Sequence, residues 1–154
     1  MLNGNMKKEN AIIVDIDGTI AENSHRVHHI KKDPKNPRAW EHFFKECIKD
    51  EMVPETILVA YRLALDHKII LCTGRTETYR PETKEWLDIY FPFYTELHMR
   101  RDGDYRPDFE AKGDMVDLVL KKYNVVMAFD DKDSVIKMLT EKGIYTFQVK
   151  GDEE

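Results

Sequence analysis

The stretch AIIVDIDGT, residues 11–19, decides the fold of this chain. Its first four residues are all apolar, without the polar alternation of a strand that faces water on one side. We therefore predict a strand over residues 11–15 that is buried on both faces, as in parallel sheets covered by helices. Asp15, Asp17 and Gly18 then follow at the carboxyl end of this strand, which is where open α/β sheets bind their ligands.

Further strand-like and helix-like segments alternate along the rest of the chain. Apolar, β-branched runs predict strands at 68–73, 125–130 and 144–149, with a shorter one at 97–99. Apolar residues at intervals of three and four predict helices at 55–66, 81–90, 112–123 and 134–142. This order predicts an α/β fold, a three-layer Rossmann-like parallel sheet with right-handed crossovers.

Residues 21–53 do not follow the alternation. This segment contains a His-rich stretch that we interpret as a loop, then two prolines, and then a short helix around Trp40 and Phe44. We interpret it as a small, cap-like insertion after the first strand of a single domain, 1–154. A chain of 154 residues is long enough for one core that buries roughly 70% of the unfolded surface.

Composition limits the partners of the chain. With 24 basic and 29 acidic residues its formal net charge is −5, so broad binding of duplex nucleic acid is not expected, although a local basic pocket for one phosphate is compatible with this balance. No run approaches the roughly 18 to 20 apolar residues of a membrane span, and residues 1–10 are polar, so we expect a cytoplasmic protein. Cys47 and Cys72 are far apart among apolar neighbours and are predicted to be buried free thiols.

Two pairs of carboxylates follow predicted strands. Asp15 and Asp17 can face one small site, one attacking and the other transferring a proton, although a solvated turn is the alternative. Asp130 and Asp131 end another strand, and adjacent carboxylates repel each other unless a cation neutralises them. Oxygen ligands of this kind suit Mg²⁺, whereas a helix cap is the alternative interpretation.

Phosphate-binding groups follow a third strand. Thr73, Gly74 and Arg75 can offer a hydroxyl, backbone N–H groups and a guanidinium to a phosphoryl oxygen, and the ammonium of Lys112 can neutralise its charge. The histidines at 25, 28 and 29 have no second ligand cluster at metal-binding spacing, so we expect exposed or substrate-rim side chains. The chain has no GxxxxGK[ST] motif, and no kinase activity is expected of it.

Taken in order, DIDGT at 15–19, TGR at 73–75, Lys112 and the acidic pair at 130–131 resemble the motifs of the haloacid dehalogenase superfamily of phosphotransferases. The resemblance implies that Asp15 is the nucleophile and Asp17 the general acid and base. It implies that Thr73 binds phosphate, that Lys112 neutralises charge, and that Mg²⁺ is held by Asp130, Asp131, Asp15 and the backbone carbonyl of Asp17. Thr19 is expected to orient the loop by hydrogen bonding.

Longer stretches are similar to the 3′-phosphatase domains of bacteriophage polynucleotide kinases and their relatives: LCTGRTETYRPETKEWL, MRRDGDYRPDFEAK and FDDKDSV, with Arg26 nine residues after Asp17. This resemblance implies that Arg26, Arg75 and Arg100 contact substrate phosphates and that Asp108 supports the site. It implies a Mg²⁺-dependent phosphomonoesterase that acts on 3′-phosphate ends of polynucleotides in nucleic-acid repair, with a separate kinase or ligase as a possible partner.

Three alternatives stay open. A phosphatase of free nucleotides or other small phosphoesters would use the same residues. A phospho-accepting signalling receiver also combines an acidic pair, an acceptor Asp, a Thr and a Lys, but it carries the acidic pair after its first strand, whereas this chain has the pair near its end. A non-catalytic binder of nucleic-acid ends is the third, and the intact set of acidic residues and Lys112 disfavours it.

Overall fold

A five-stranded parallel sheet forms the centre of the protein in a computed structural model that describes residues 7–150. The strands are β1 (Asn10–Val14), β2 (Ala21–Glu22), β3 (Glu51–Met52), β4 (Lys68–Thr76), β5 (Glu96–Arg100), β6 (Asn124–Asp130) and β7 (Thr146–Gln148). The helices are α1 (Ser24–Lys31), α2 (Pro37–Lys45), α3 (Pro54–Ala64), α4 (Arg80–Tyr90), α5 (Asp108–Lys122) and α6 (Asp133–Glu141). The sheet order is β5-β4-β1-β6-β7, so the apolar strand β1 is central.

Helices cover both faces of this sheet because successive side chains of a strand point to opposite sides. Ile12 and Val14 pack in one core with residues of α3 and α4, including Trp86. Ala11 and Ile13 pack in the other core with residues of α5 and α6. The structure therefore confirms the expected three-layer α/β architecture of Rossmann type.

Strand register brings the functional segments together. Val14 at the end of β1 pairs with Leu71 of β4 and with Phe129 of β6, and all these strands are parallel. The residues that follow these positions therefore meet at one edge of the sheet, which is where ligands bind in such folds. Asp15, Thr73 and Asp130 all lie at this edge.

The inserted segment forms a helical unit closed by a small second sheet. Ala21 of β2 pairs antiparallel with Met52 of β3, and α1 and α2 lie between these strands. The predicted helix near Trp40 is confirmed as α2, but the predicted loop over the His-rich stretch was wrong, because α1 occupies it. The residue of α1 that is buried is Arg26, and a charged side chain adds nothing to the apolar periodicity by which a helix is recognised.

Other boundaries differ modestly from the sequence predictions. Helix α5 begins at Asp108, four residues earlier than the predicted start at 112, because Phe109 and Ala111 alternate with two acidic residues in its first turn and do not set a helical period. Both cysteines are confirmed as buried free thiols, and burial raises the pKa of Cys72 to about 12. The acidic tail at 151–154 lies outside the described residues. Within 7–150, no helix is both long and apolar enough to span a bilayer.

We expect the two leucines at positions 65 and 71 to respond very differently to truncation. Leu71 of β4 is fully buried, whereas Leu65 at the end of α3 is 66% exposed. Leu71→Ala should lower the free energy of unfolding by about 2–5 kcal/mol, since it leaves a cavity in the core. Leu65→Ala should change it by less than about 0.5 kcal/mol. Urea denaturation followed by circular dichroism measures both, and equal effects would contradict the assignment of β4 to the core.

Candidate active site

Three carboxylates converge where β1 and β6 end. Oxygen atoms of Asp15, Asp130 and Asp131 lie within 4.8 Å of one another. The Thr19 hydroxyl donates to Asp15 Oδ2 at 2.9 Å, so the hydrogen bonding expected of Thr19 is present, and its role in orienting the loop stays a prediction. Gly18 has a φ of 78°, and a Cβ atom on it would lie 2.2 Å from Asp131 Oδ2, so the turn requires glycine for its backbone and for space.

The ammonium of Lys112 joins two of these carboxylates. Lys112 Nζ donates to Asp15 Oδ1 at 2.6 Å and to Asp130 Oδ2 at 2.9 Å, and all three side chains are buried. The lysine lies one turn into α5, so the helix directs it toward the sheet edge from the neighbouring layer. Burial disfavours its charge, but the facing carboxylates outweigh this and raise the pKa of Lys112 well above its usual range.

The carboxylate cluster has the donor set of a divalent-cation site. Three acidic groups face one ammonium, and Asp131 Oδ1 is buried without a hydrogen-bond partner. Burial and the neighbouring Asp130 raise the pKa of Asp15 well above its ordinary value and that of Asp131 to about 6. A divalent cation bound by these oxygens would reduce the repulsion among the three carboxylates, and Asp131 Oδ1 would become one of its ligands.

Asp17 lies in a second charged cluster, apart from Asp15. Its carboxylate accepts hydrogen bonds from Arg26 Nη2 of the insertion and, at 2.7 Å, from Arg75 Nη2 of β4. Both arginines are fully buried. Burial opposes ionisation of Asp17, but the two guanidinium groups outweigh it and hold its pKa below its ordinary value. The two acids of the DxD motif therefore have opposite environments.

Asp50 completes this second cluster and is not among the site residues predicted from the sequence. Its carboxylate accepts Arg26 Nε at 2.7 Å, Arg26 Nη2 at 2.6 Å and Arg75 Nη2 at 3.2 Å. Its backbone carbonyl accepts the indole N–H of Trp86 at 2.8 Å. Asp50 lies in the charged run Lys49-Asp50-Glu51, which is typical of a solvated surface, so no local signal marks it as buried.

A third group surrounds Gly74. The side chain of Thr73 is buried, and a Cβ atom at Gly74 would lie 2.3 Å from Asp108 Oδ1 and 3.7 Å from Arg100 Nη2. Arg100 Nη2 donates to Asp108 Oδ1 at 2.8 Å, and Lys132 Nζ donates to Asp108 Oδ2 at 3.2 Å. Burial opposes the charge of Asp108, but the cations around it, Lys112 first among them, hold its pKa low.

The structure thus brings the sequence-predicted residues together as three adjoining groups. Asp15, Lys112 and the pair at 130–131 form the first, and Asp17 with Arg26 and Arg75 the second. Thr73, Gly74, Arg100 and Asp108 form the third. The three arginines bond to carboxylates and backbone carbonyls within the protein, and their contact with substrate phosphate stays a prediction.

The histidines of the insertion do not form a metal centre. His25 Nε2 lies 2.7 Å from Asp50 Oδ1 and His29 Nε2 lies 3.0 Å from Glu46 Oε2, while the rings of His28 and His29 lie 4.0 Å apart. Across residues 7–150, the carboxylate cluster is the one group of His, Cys, Asp or Glu side chains with metal-binding spacing.

Known proteins share this architecture. A solved chain in the structure of a Pnkp1/Rnl/Hen1 complex superposes with a TM-score of 0.78 at 29% identity, over 95% of this chain and 47% of that one. The class C acid phosphatase from Bacillus anthracis, with tungstate bound, gives a TM-score of 0.67 at 19% identity, over 95% of this chain and 69% of that one. The second likeness shows the fold alone.

Sequence comparison gives the family. A putative bifunctional polynucleotide kinase/RNA ligase of Autographa californica nuclear polyhedrosis virus is 29% identical over 140 residues, which are 88% of this chain and 18% of the viral protein. This chain therefore spans less than half of each of these two relatives. The family model of the polynucleotide kinase PNKP phosphatase domain matches residues 9–153. With DxD, TGR, Lys112 and the acidic pair on one sheet edge, this chain belongs to that family of phosphatase domains, which are haloacid dehalogenase-type hydrolases of phosphoric monoesters.

Proposed function

We propose that this domain is a Mg²⁺-dependent phosphomonoesterase that removes 3′-phosphates from polynucleotide ends through an aspartyl-phosphate on Asp15. One observation carries the chemistry. Asp15 lies in the cluster of carboxylates and ammonium, whereas Asp17, two residues later, lies in a cluster of guanidinium groups. Two carboxylates in different environments are what a nucleophile and a separate acid/base group require.

The first cluster fits a resident Mg²⁺. Asp15, Asp130 and Asp131 would supply side-chain oxygens, and Asp17 would supply its backbone carbonyl because its side chain is engaged by the arginines. When bound, the ion would neutralise the clustered carboxylates and part of the phosphoryl charge. Two features support a Mg²⁺ ion in this cluster: the proximity of the three carboxylates, and the buried Asp131 Oδ1 that has no hydrogen-bond partner.

The carboxylate of Asp15 attacks the phosphorus in the first step. A new bond forms between the Asp15 oxygen and phosphorus, and the bond between phosphorus and the sugar oxygen breaks. Asp17 donates its proton to that departing oxygen. Lys112, Thr73 and the backbone at Gly74 stabilise the charge that develops on the phosphoryl oxygens.

Water completes the cycle. The carboxylate of Asp17 removes a proton from water, the water oxygen attacks phosphorus, and the bond to Asp15 breaks to release inorganic phosphate. Arg26 and Arg75 keep Asp17 ionised, which suits this second step. For the first step Asp17 must carry a proton, so we propose that the substrate phosphate competes with it for these guanidinium groups.

The substrate class is inferred from the relatives and from the small insertion. The family groups this chain with polynucleotide kinase phosphatase domains, and residues 21–53 add to the core a small cap of α1, α2, a short 3-10 helix and the two-stranded sheet of β2 and β3. A cap of this size leaves the site open to the end of a polymer. Free nucleotides remain the alternative substrate. The printed names of the relatives, a polynucleotide kinase/RNA ligase and an RNA repair complex, support a role in nucleic-acid repair beside a kinase or ligase. Its location in the cytoplasm stays a prediction from the sequence.

Asp15→Asn should abolish phosphate release, because an amide does not supply the nucleophile. We expect kcat to fall about 10³-fold or more. The assay compares a 3′-phosphorylated oligonucleotide with a 3′-mononucleotide at equal concentrations, and the oligonucleotide should be the faster substrate. The matched control is Asp88→Asn on an exposed position of α4, which should keep wild-type kcat within twofold.

Substantial Mg²⁺-dependent turnover by pure Asp15→Asn enzyme would contradict the assigned nucleophile. Faster turnover of the mononucleotide by the wild-type enzyme would instead contradict the polynucleotide substrate while leaving the chemistry intact.

Mg²⁺ should stabilise the fold through the carboxylate cluster. At a free Mg²⁺ concentration of about 100 times Kd, binding increases the free energy of unfolding by about 2.7 kcal/mol. This increase should raise Tm by roughly 5 °C or more. Asp131→Asn should remove most of this shift, and EDTA should reverse it in the wild-type protein. Differential scanning calorimetry measures the shift, with Asp88→Asn as the control. An equal Mg²⁺ shift in Asp131→Asn would place the ion elsewhere.

Arg26→Ala should weaken use of the substrate without preventing metal binding. Because Arg26 contacts Asp17 but none of the metal-site carboxylates, we expect kcat/KM to fall about 10- to 100-fold while the Mg²⁺-induced shift in Tm persists. Arg26→Lys tests whether charge alone suffices, since lysine lacks the bidentate fork. Unchanged kinetics in folded Arg26→Ala protein would rule out this role.

A further inference from the structure

The tip of the insertion carries a cluster of exposed cations. Between residues 31 and 38, where α1 turns into α2, every residue is exposed. This cap tip contains the four cations Lys31, Lys32, Lys35 and Arg38 and the single acid Asp33, so its net charge is 4 − 1 = +3 in a chain of −5. Within the described part of the chain, none of the four cations forms an ion pair.

Some exposed cations elsewhere on the surface have acidic partners, whereas others, such as Lys84 and Lys121, stand singly rather than in a cluster. Lys122 lies 3.0 Å from Glu96, Lys68 lies 3.6 Å from Glu9, and Arg106 lies 2.9 Å from Asp104. A concentration of positive charge without such neutralisation is a local electrostatic field that attracts anions, although the whole chain is acidic.

The turn that carries the cap tip has a defined conformation. Trp40 Nε1 donates to the Pro34 carbonyl at 2.8 Å, and the Asn36 side chain caps α2 by accepting Arg38 N at 3.0 Å. Pro37 opens the helix with a fixed φ. The backbone between the cations is therefore ordered before a ligand arrives, which reduces the entropy lost on binding.

The same helix connects the cap tip with the active site. Arg26 of α1 reaches Asp17, and Lys31 follows five residues later on that helix. At 1.5 Å per residue this places the Cα atom of Lys31 about 7.5 Å further along the helix axis. A polymer whose terminal phosphate occupies the site would have its next phosphates within reach of the long side chains that follow.

We propose that the cap tip binds the phosphodiester backbone of a single-stranded nucleic-acid end, immediately upstream of the phosphate that is removed. The four cations bind backbone phosphates through their charge and make no base-specific contacts. A single strand fits better than a long duplex because the patch is only eight residues long and the rest of the chain is acidic. This inference rests on the proposed function and adds to it a subsite that a mononucleotide does not occupy.

The test compares two variants with the same charge change. Lys31→Glu/Lys35→Glu reverses two cations of the cap tip, and Lys84→Glu/Lys121→Glu reverses two exposed cations on α4 and α5. For each protein, kcat/KM is measured on 3′-phosphorylated substrates of one, two, four and eight nucleotides between 25 and 200 mM KCl. Affinity for a 3′-hydroxyl octanucleotide is measured by fluorescence anisotropy, which does not depend on turnover.

Wild-type kcat/KM should rise with substrate length, and the cap-tip variant should lose about tenfold or more on the octanucleotide at low salt while staying within twofold on the mononucleotide. Its slope of log affinity against log salt should be shallower by about 1.4, for two lost phosphate contacts on a single strand. The α4/α5 variant should match the wild type within twofold.

Equal losses in the two variants, or an equal loss on mononucleotide and octanucleotide, would overturn the proposal. So would unchanged octanucleotide affinity with weakened binding of an acidic polypeptide such as polyglutamate, which would assign the patch to an acidic protein. If no protein hydrolyses oligonucleotides, the proposed function fails, and the anisotropy measurement alone still decides whether the cap tip binds a strand.

Discussion

The active site depends on the two ion pairs that the Lys112 ammonium group forms with Asp15 and Asp130. Two carboxylates buried at the edge of a sheet would otherwise repel each other in a poorly solvated place. The lysine comes from a helix of the outer layer, so it also ties α5 to the ends of β1 and β6. A cation in the same cluster would have to share these carboxylates with Lys112, and Asp131 offers the oxygen that the lysine leaves free.

Beside the cluster around Lys112 lies a second cluster, in which negative and positive charges are equal in number. Asp17 and Asp50 contribute two negative charges, and Arg26 and Arg75 contribute two positive ones. Because Arg26 and Asp50 come from the insertion, the insertion defines the environment of Asp17. The two acids of DIDGT thus lie in different clusters, one built from the core and one shared with the insertion. In the proposed mechanism this division separates the nucleophile from the acid/base group.

Much of the fold and part of the site follow from local sequence. Apolar strands such as 11–14 identify the parallel sheet, and the residues after them identify Asp15, Thr73 and Asp130 at its edge. Helix α1 and Asp50 could not be found in the same way, because their burial depends on pairing among charged residues that are distant in sequence. Regular spacing of apolar residues in the sequence indicates which side chains are buried in an apolar core. The ion pair between Arg26 and Asp50, 24 positions apart, leaves no such local pattern.

In the proposed mechanism Asp15 carries the phosphoryl group during turnover. The most direct measurement is rapid acid quenching of enzyme mixed with excess substrate labelled with ³²P in its 3′-phosphate, followed by peptide mapping. We expect transient label on the peptide that contains Asp15, and no label in Asp15→Asn protein. Label on a different residue, or full-rate turnover with no labelled protein at any quench time, would contradict it.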